Sequence, residues 1–438
     1  MFKLCKEWKK IKKNKLLVAV ILLISSLTFV LFIFKFENNK PSDKQKSKAF
    51  FSHEIPNGFG VNIHFTGNPI DVDLIKDAGF NIVRQDIFWA KVEKKRGVFD
   101  FEGEGYDELT NALIDKKIRP YYILDYSNKL YEKGQSIVTK EGQDAFVRYV
   151  SEVTSRYKNK GIIWEIWNEP NGEYWESKPN FKEYSSLVKR VSKTIREHDP
   201  SGIVVAPALA GLNEESSKWL EEVFKEGILD DIDAVSVHPY RNSNPETVAY
   251  DYRNLRSLIM KYTKKEVPIL SGEWGYSTAR GPNSLNLDEQ KQAEYFVRMF
   301  LINVLSDVPI SIWYDWKNDG NNPLNGEHNF GLRKSDVNFS KRSYLAANVM
   351  MNYLSGFKFD KRIDLGKPND YVLKFTNTDK KTVIVYWTTE SPHKVDIPFK
   401  YKKGEILTIY GNKVGDIQAL SSNKQEISST PRYILINQ

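Results

Sequence analysis

Two glutamates end apolar runs in this 438-residue chain. The stretch Ile162–Asn171 (IIWEIWNEPN) reads as a buried strand that stops at Asn168-Glu169-Pro170, and Val267–Gly275 (VPILSGEWG) repeats the design around Glu273. A single strand-end carboxylate is ordinarily an ion-pair partner, or an acid at a helix start where the helix dipole stabilises it. Two of them with the same grammar, each beside a tryptophan (Trp167, Trp274), suggest carboxylates opposed across a cleft. Cleavage of a glycosidic bond needs that pair. One acid stays protonated near neutral pH to assist the leaving oxygen; the other is ionised, to attack the anomeric carbon or to activate a water.

The elements that would position them recur from Gly58 to about Leu354. Short β-rich runs (Gly60–Phe65, Ile82–Asp86, Tyr121–Asp125, Ile162–Trp167, Ile203–Ala206, Ala234–His238, Pro268–Gly272, Ile310–Tyr314) alternate with amphipathic helical stretches. Asn180 marks one helix start, and Asn286 with Glu289 marks another. Eight such units predict an α/β fold, a (β/α)8 TIM barrel over residues 55–354. A doubly wound sheet would want a glycine-rich phosphate loop after its first strand, and Val61-Asn62-Ile63-His64 supplies none. Beyond Leu354 five β-runs follow without helices, which predicts a small C-terminal β-sandwich over 355–438.

In such barrels chemistry gathers at the carboxyl ends of the strands. Those ends hold His64; Arg84, Gln85 and Asp86; Asp125 and Tyr126; Asn168 and Glu169; His238 and Tyr240; Glu273 and Trp274; and Trp313 to Trp316. Indole faces at Trp89, Trp175, Trp274, Trp313 and Trp316 are candidates to stack on sugar C–H surfaces. Arg84 has two candidate partners: Glu165, by strand alternation, and Glu273, whose pKa a nearby cation would lower. No nucleophilic Ser or Cys motif, HExxH motif or cysteine cluster is present, so neither a metal nor a cofactor is expected.

The formal net charge of +8 is localised. The first 50 residues carry 12 Lys and Arg against 3 acids, and the other 388 carry 52 against 53, which removes the polycation argument for a nucleic-acid partner. Seven lysines in a basic tail (1–15) precede an uncharged apolar run, Leu16–Phe34. That run would span roughly 28 Å as a helix, enough to cross a bilayer. The expectation is a retained single-pass anchor at 16–34, N-terminus cytoplasmic, with a polar tether (35–54) and an extracellular catalytic domain. A cleaved signal peptide would have a shorter apolar core ending in small residues. The only cysteine, Cys5, precedes the anchor, so the exported part has no internal disulfide.

These residues carry a resemblance. WEIWNEPN (Trp164–Asn171) resembles the strand-four signature of the clan A glycoside hydrolases, and SGEWGY (Ser271–Tyr276) the strand-seven nucleophile signature. SVHPY (Ser236–Tyr240), Arg84 and Trp313 fit the strand-six, strand-two and strand-eight positions. Within the clan the chain is most similar to family 39-like enzymes, especially the membrane-anchored PslG-type exopolysaccharide glycosidases. The resemblance implies that Glu169 is the general acid/base and Glu273 the nucleophile of a retaining, endo-acting hydrolase. Asn168 would bond the sugar 2-hydroxyl, while His238 and Tyr240 would hold the nucleophile or the adjacent sugar. His64, Trp89 and Trp316 join them as expected substrate-binding residues. Retention requires carboxyls about 5–5.5 Å apart. The expected partners are a polysaccharide substrate, the membrane, and a polysaccharide synthesis or export complex, with the protein itself a monomer. The rival readings are a transglycosylase and a non-catalytic glycan-binding scaffold of a polysaccharide export system.

Overall fold

The computed structural model describes residues 53–436 except 68, 177, 283, 399–402 and 419–423. The expected basic tail and anchor, and nearly all of the tether, lie outside the described residues. Among the described residues no helix is long and apolar enough to cross a membrane.

Eight parallel strands close in sequence order: β1 (Phe59–Asn62), β2 (Ile82–Phe88), β3 (Arg119–Asp125), β4 (Ile163–Ile166), β5 (Ile203–Ala210), β6 (Ala234–His238), β7 (Ile269–Trp274) and β8 (Ser311–Trp313), with β8 pairing back onto β1. Around them run α1 (Pro69–Asp77), α2 (Tyr106–Asp115), α3 (Lys140–Arg156), α4 (Phe181–His198), α5 (Glu214–Lys225), α6 (Val248–Tyr262), α7 (Glu289–Leu305) and α8 (Arg342–Leu354). The strands read as near-continuous apolar runs because both faces are covered, one by the barrel interior and one by helices. Helix α4 illustrates the local logic. Asn180 accepts from the amides of Lys182 and Glu183, and Tyr184, Leu187, Val188, Val191 and Ile195 fall at helical spacing on the buried face. The start of α7 differs from expectation. Asp288 is its cap, accepting from the Lys291 amide, while Asn286 sits two residues earlier in a left-handed turn at φ +52°.

The C-terminal region is an antiparallel six-stranded sheet plus a two-stranded one. The large sheet runs β14 (Lys413–Gln418), β13 (Lys403–Leu407), β16 (Arg432–Ile436), β11 (Thr382–Thr388), β10 (Asp370–Thr376), β9 (Lys358–Arg362); β12 (His393–Asp396) pairs with β15 (Lys424–Ile427). Alternation divides the large sheet's faces. Val372, Ile384, Ile406 and Ile434 form one cluster with Val395 and Ile427 of the small sheet. Leu373, Phe375, Val385, Trp387 and Tyr433 join the core of the barrel. The sequence pattern shows five of these eight strands and misses β9, β14 and β15. Strands β9 and β14 lie at the sheet edges and are mostly solvent-facing (KFDKR, KVGDIQ), so they carry polar residues rather than an apolar alternation.

A buried ion pair fastens this sheet to the barrel. Arg298 of α7 donates from Nε and Nη2 to the two carboxylate oxygens of Glu246, both at 2.7 Å, and the Trp387 indole donates to Glu246 Oε1 at 2.6 Å. Tyr371 stacks on Trp387 with centroids 5.0 Å apart and planes 4° off parallel. Removing one partner of such a pair strands a buried charge. Glu246→Ala is therefore expected to lower the unfolding free energy by about 3–5 kcal/mol, read from denaturant midpoints. A loss within the ordinary surface range of about 0.5 kcal/mol would contradict this account of the junction.

Candidate active site

The ends of β4 and β7 are shaped by backbone that the sequence makes costly. Trp167 (φ +71°) and Glu169 (φ +50°) both occupy the left-handed region, which bulky side chains rarely adopt. The surroundings compensate. The Trp167 amide donates to the Leu124 carbonyl on β3, and the Glu169 amide donates to the Ala208 carbonyl, which a bulge in β5 turns inward. Asn171 then clamps the turn, its amide oxygen accepting from the Ala210 N–H and its nitrogen donating to the Ala210 carbonyl. After β7 a Cβ at Gly275 would lie 1.9 Å from the Tyr314 carbonyl oxygen, so only glycine lets the chain leave Glu273 so close to β8.

These devices bring the two glutamates together. One oxygen of Glu169, one of Glu273 and a ring nitrogen of His238 all lie within 4.8 Å of one another. Oxygens this near place the two carboxyls with the close pairs of retaining enzymes rather than with the 6.5–9.5 Å or so of inverting ones.

Arg84 organises the floor. Its Nε donates to Glu165 (2.8 Å), Nη1 to Glu273 (2.6 Å) and to Asn62 (3.0 Å), and Nη2 to the Asn168 amide oxygen (2.8 Å). Both partners expected for Arg84 are thus engaged at once. Burial opposes its charge, yet the nearby Glu165 and Glu273 outweigh burial and raise its pKa well above the ordinary value. Since a guanidinium has no acceptor, Arg84 Nη2 at 3.3 Å from His238 Nε2 makes that nitrogen the acceptor. His238 Nδ1 therefore carries the proton and donates to Glu169 at 2.8 Å. Tyr240, on the loop after β6, donates to Glu273 at 3.0 Å. Burial first, then Glu273, holds the Tyr240 phenol well above its usual pKa, so it remains a donor. The two residues expected to hold the nucleophile thus divide: Tyr240 serves Glu273, while His238 contacts Glu169 and stays 4.0 Å from Glu273.

The pair opens into a cleft of about 490 Å³. Its lining includes His64, Arg84, Asn168, Tyr240 and both glutamates as expected, along with Asn62, Asp86, Phe88, Tyr126, Tyr174, Tyr314, Glu327 and Phe330. His64, at the rim, bonds Asp319 through Nδ1 at 2.8 Å; burial works against its charge, but Asp319 prevails and raises its pKa to about 9.

The expected indoles are absent from the cleft lining. Trp89 is fully buried between Tyr131 and Tyr149 with its N–H on Glu93. Trp313 packs on Phe296 of α7, and Trp316 donates to Asp71. Trp175 and Trp274 are buried too. Alternation is the reason for Trp313. On β8 it turns outward to the helices, and the next residue, Tyr314, faces the cleft. The aromatic faces are instead phenyl and phenol rings: Phe88, Tyr126, Tyr174, Tyr314 and Phe330. Of these, Tyr126 and Tyr314 stand in the strand-end set, and Phe330 lies in the loop between β8 and α8. Asn62, Phe88 and Tyr174 carry no sequence signal of their own. The segment Ser127–Gly142 contributes no lining residue, whereas 173–180 and 317–336 contribute Tyr174, Glu327 and Phe330.

A closed barrel with Glu169 just past β4 and Glu273 near the end of β7 is the arrangement of the clan A glycoside hydrolases. Residues 44–320 match the model of the cellulase family (glycosyl hydrolase family 5), and the chain belongs to that family. A family 39 glycoside hydrolase from Bacteroides cellulosilyticus WH2 shares the fold, with a TM-score of 0.75 and 24% identity over 88% of this chain and 82% of that one. The family 39 β-xylosidase of Caulobacter crescentus gives 0.63 and 17% over 88% and 98%. Among curated relatives, the β-xylosidase of Geobacillus stearothermophilus is 24% identical over 228 residues, 44% of each chain. An endoglucanase of Clostridium saccharobutylicum is 28% identical over 195 residues, 43% of this chain and 37% of that one. The match spans under half the length of these curated relatives. The resemblance to family 39 thus stands as a likeness of fold within the clan, while the matching family model is that of family 5.

The His238 contact makes a pH prediction. Burial raises the Glu169 pKa, but the hydrogen bond from His238, with the charge of Arg84, more than offsets it and leaves the carboxyl below its ordinary value. A general acid is competent below its pKa, so kcat/KM falls as pH rises through it. His238→Ala removes the group that lowers Glu169, and the alkaline limb of kcat/KM is expected to move to higher pH. A limb that stays in place or moves down would contradict the assigned contact.

Proposed function

We propose that the chain is a retaining endo-glycosidase of an extracellular or nascent bacterial exopolysaccharide, held at the outer face of the membrane by residues 16–34. The observation that carries the catalytic part is the pair of carboxyl oxygens within 4.8 Å, each with its own donors. A Glu273 oxygen attacks the anomeric carbon as the bond to the leaving oxygen breaks, and that oxygen takes the Glu169 proton. Water then attacks the same carbon and gives its proton to Glu169, while the ester breaks and releases the Glu273 carboxylate. The Glu169 side chain is 20% exposed in the open cleft. A bound glycan removes that remaining water and favours the neutral acid needed for the first step. Asn168, fixed by Arg84 and by its own donation to Tyr126 at 3.0 Å, keeps one amide hydrogen for a sugar hydroxyl.

Endo action draws support from a second depression of about 380 Å³, which shares Tyr240, Glu327 and Phe330 with the cleft and extends the surface past one sugar. The membrane placement and the exopolysaccharide substrate rest on the N-terminal apolar run and on the resemblance to the anchored subtype.

The roles are tested by leaving-group dependence. Glu169→Gln is expected to lose roughly 10²–10⁴-fold on a polysaccharide, and far less on an aryl glycoside whose phenolate leaves without a proton. Glu273→Gln is expected to lose both activities. Reducing-end release and phenolate absorbance read the two. Substantial polysaccharide cleavage by either variant would refute the assignment.

A further inference from the structure

The depression of about 380 Å³ beside the cleft, joined to it at Tyr240, Glu327 and Phe330, is a built surface with its own chemistry. It lies where the loops after β7 and β8 meet, and those loops are fastened together. The Arg280 amide donates to the Pro323 carbonyl at 2.8 Å, and the Thr278 amide to the Asn329 carbonyl at 3.1 Å. The Ser277 hydroxyl donates to the Gly326 carbonyl at 2.8 Å. Lys341, 1% exposed, reaches both loops, donating to Thr278 Oγ1 at 3.2 Å and to the Asn329 carbonyl at 3.0 Å. The depression is therefore shaped before a ligand arrives, which spares the cost of ordering it.

Most of its polar side chains spend their donors within the protein. Arg241 donates to the Pro239 carbonyl, Thr247 and Asp251. Tyr276 donates to the Ser243 carbonyl, and Ser284 to the Gly281 carbonyl. Two polar groups are left over. Glu327 gives one carboxylate oxygen to the Tyr314 hydroxyl at 2.6 Å and keeps the other. Asn242, exposed on the loop after β6, makes no hydrogen bond to the described residues. The rest of the contact surface is apolar. Leu324 is 63% exposed and Leu285 37%, both line this depression, and no aliphatic side chain so exposed lines the cleft. Two open leucines on one concave surface gain from being covered by apolar atoms.

A plain hexose would press hydroxyls onto those leucines and strip them of water without replacing it. An acetamido group divides differently. Its methyl suits Leu285 and Leu324, its carbonyl can accept from the Asn242 amide, and its N–H can donate to the free Glu327 oxygen. We propose that this depression is a subsite for an N-acetylated amino sugar, so that the glycan carries N-acetylhexosamine beside the cleavage site. This inference rests on the glycosidase reading and narrows its substrate class.

The test measures, by calorimetry on the full chain, affinities for β-1,4-linked N-acetylglucosamine oligosaccharides, their de-N-acetylated counterparts and glucose oligosaccharides of equal length. The N-acetylated form is expected to bind at least about tenfold tighter than either, the scale of one methyl group placed in an apolar pocket. Leu324→Ser and Asn242→Ala, both at exposed positions, are each expected to shrink that preference and to leave the affinity for the glucose form unchanged. Equal affinities in the wild type, no binding of the N-acetylated form, or a preference that survives both substitutions would overturn the proposal. The wild-type comparison decides the matter even where a variant folds poorly. Cleavage of glycans without any preference for N-acetylated ones would sink this inference and leave the glycosidase reading standing. Preferential binding by a protein that cleaves no glycan would sink the glycosidase reading instead.

Discussion

One buried guanidinium fixes the geometry on which the rest of the site depends. Arg84 is 1% exposed, and its five N–H donors are spread over β1, β4, β6 and β7 and the turn that carries Asn168. Stranding such a charge in a barrel interior would cost several kcal/mol, so each partner is held where it satisfies the arginine. Glu165 supplies the structural counter-charge, and also accepts from Tyr121 at 2.7 Å. With that pairing secured, Glu273 can hang at the cleft floor on one Arg84 donor and the Tyr240 hydroxyl, its position set by strands rather than by loops.

The second glutamate owes its environment to different devices. Glu169 follows a stretch of left-handed backbone that persists because neighbouring strands accept its amides. Strand β6 and the loop after it then serve both carboxyls, His238 reaching Glu169 and Tyr240 reaching Glu273. Because Arg84 also donates to His238, it sets which ring nitrogen faces Glu169. Two carboxyls of one type are thereby given different partners, the condition for dividing acid and nucleophile roles between them.

Much of this was legible in the sequence, for identifiable reasons. The barrel strands are buried on both faces and therefore write unbroken apolar runs. Asn168, Glu169, His238, Tyr240 and Glu273 stand where those runs stop, Arg84 stands inside the second run, and all of them line the cleft or touch its glutamates. The indoles misled because side-chain type says nothing of direction. Trp89, Trp313 and Trp316 are fully buried against helices and loops, and the cleft takes its aromatic faces from smaller rings such as Tyr314, one residue out of phase. Asn62, Phe88 and Tyr174 were beyond reach, since their roles follow from barrel closure and from loop paths rather than from local pattern. The edge strands of the C-terminal sheet were missed because solvent-facing strands carry no apolar alternation.

The account stands or falls on the two carboxyls acting by double displacement. Proton NMR of the first product formed, recorded before mutarotation, reads the stereochemistry directly. The account predicts a reducing end that retains the anomeric configuration of the cleaved bond. An initially inverted anomer would contradict it, because a carboxyl pair this close leaves no room for a water between nucleophile and sugar.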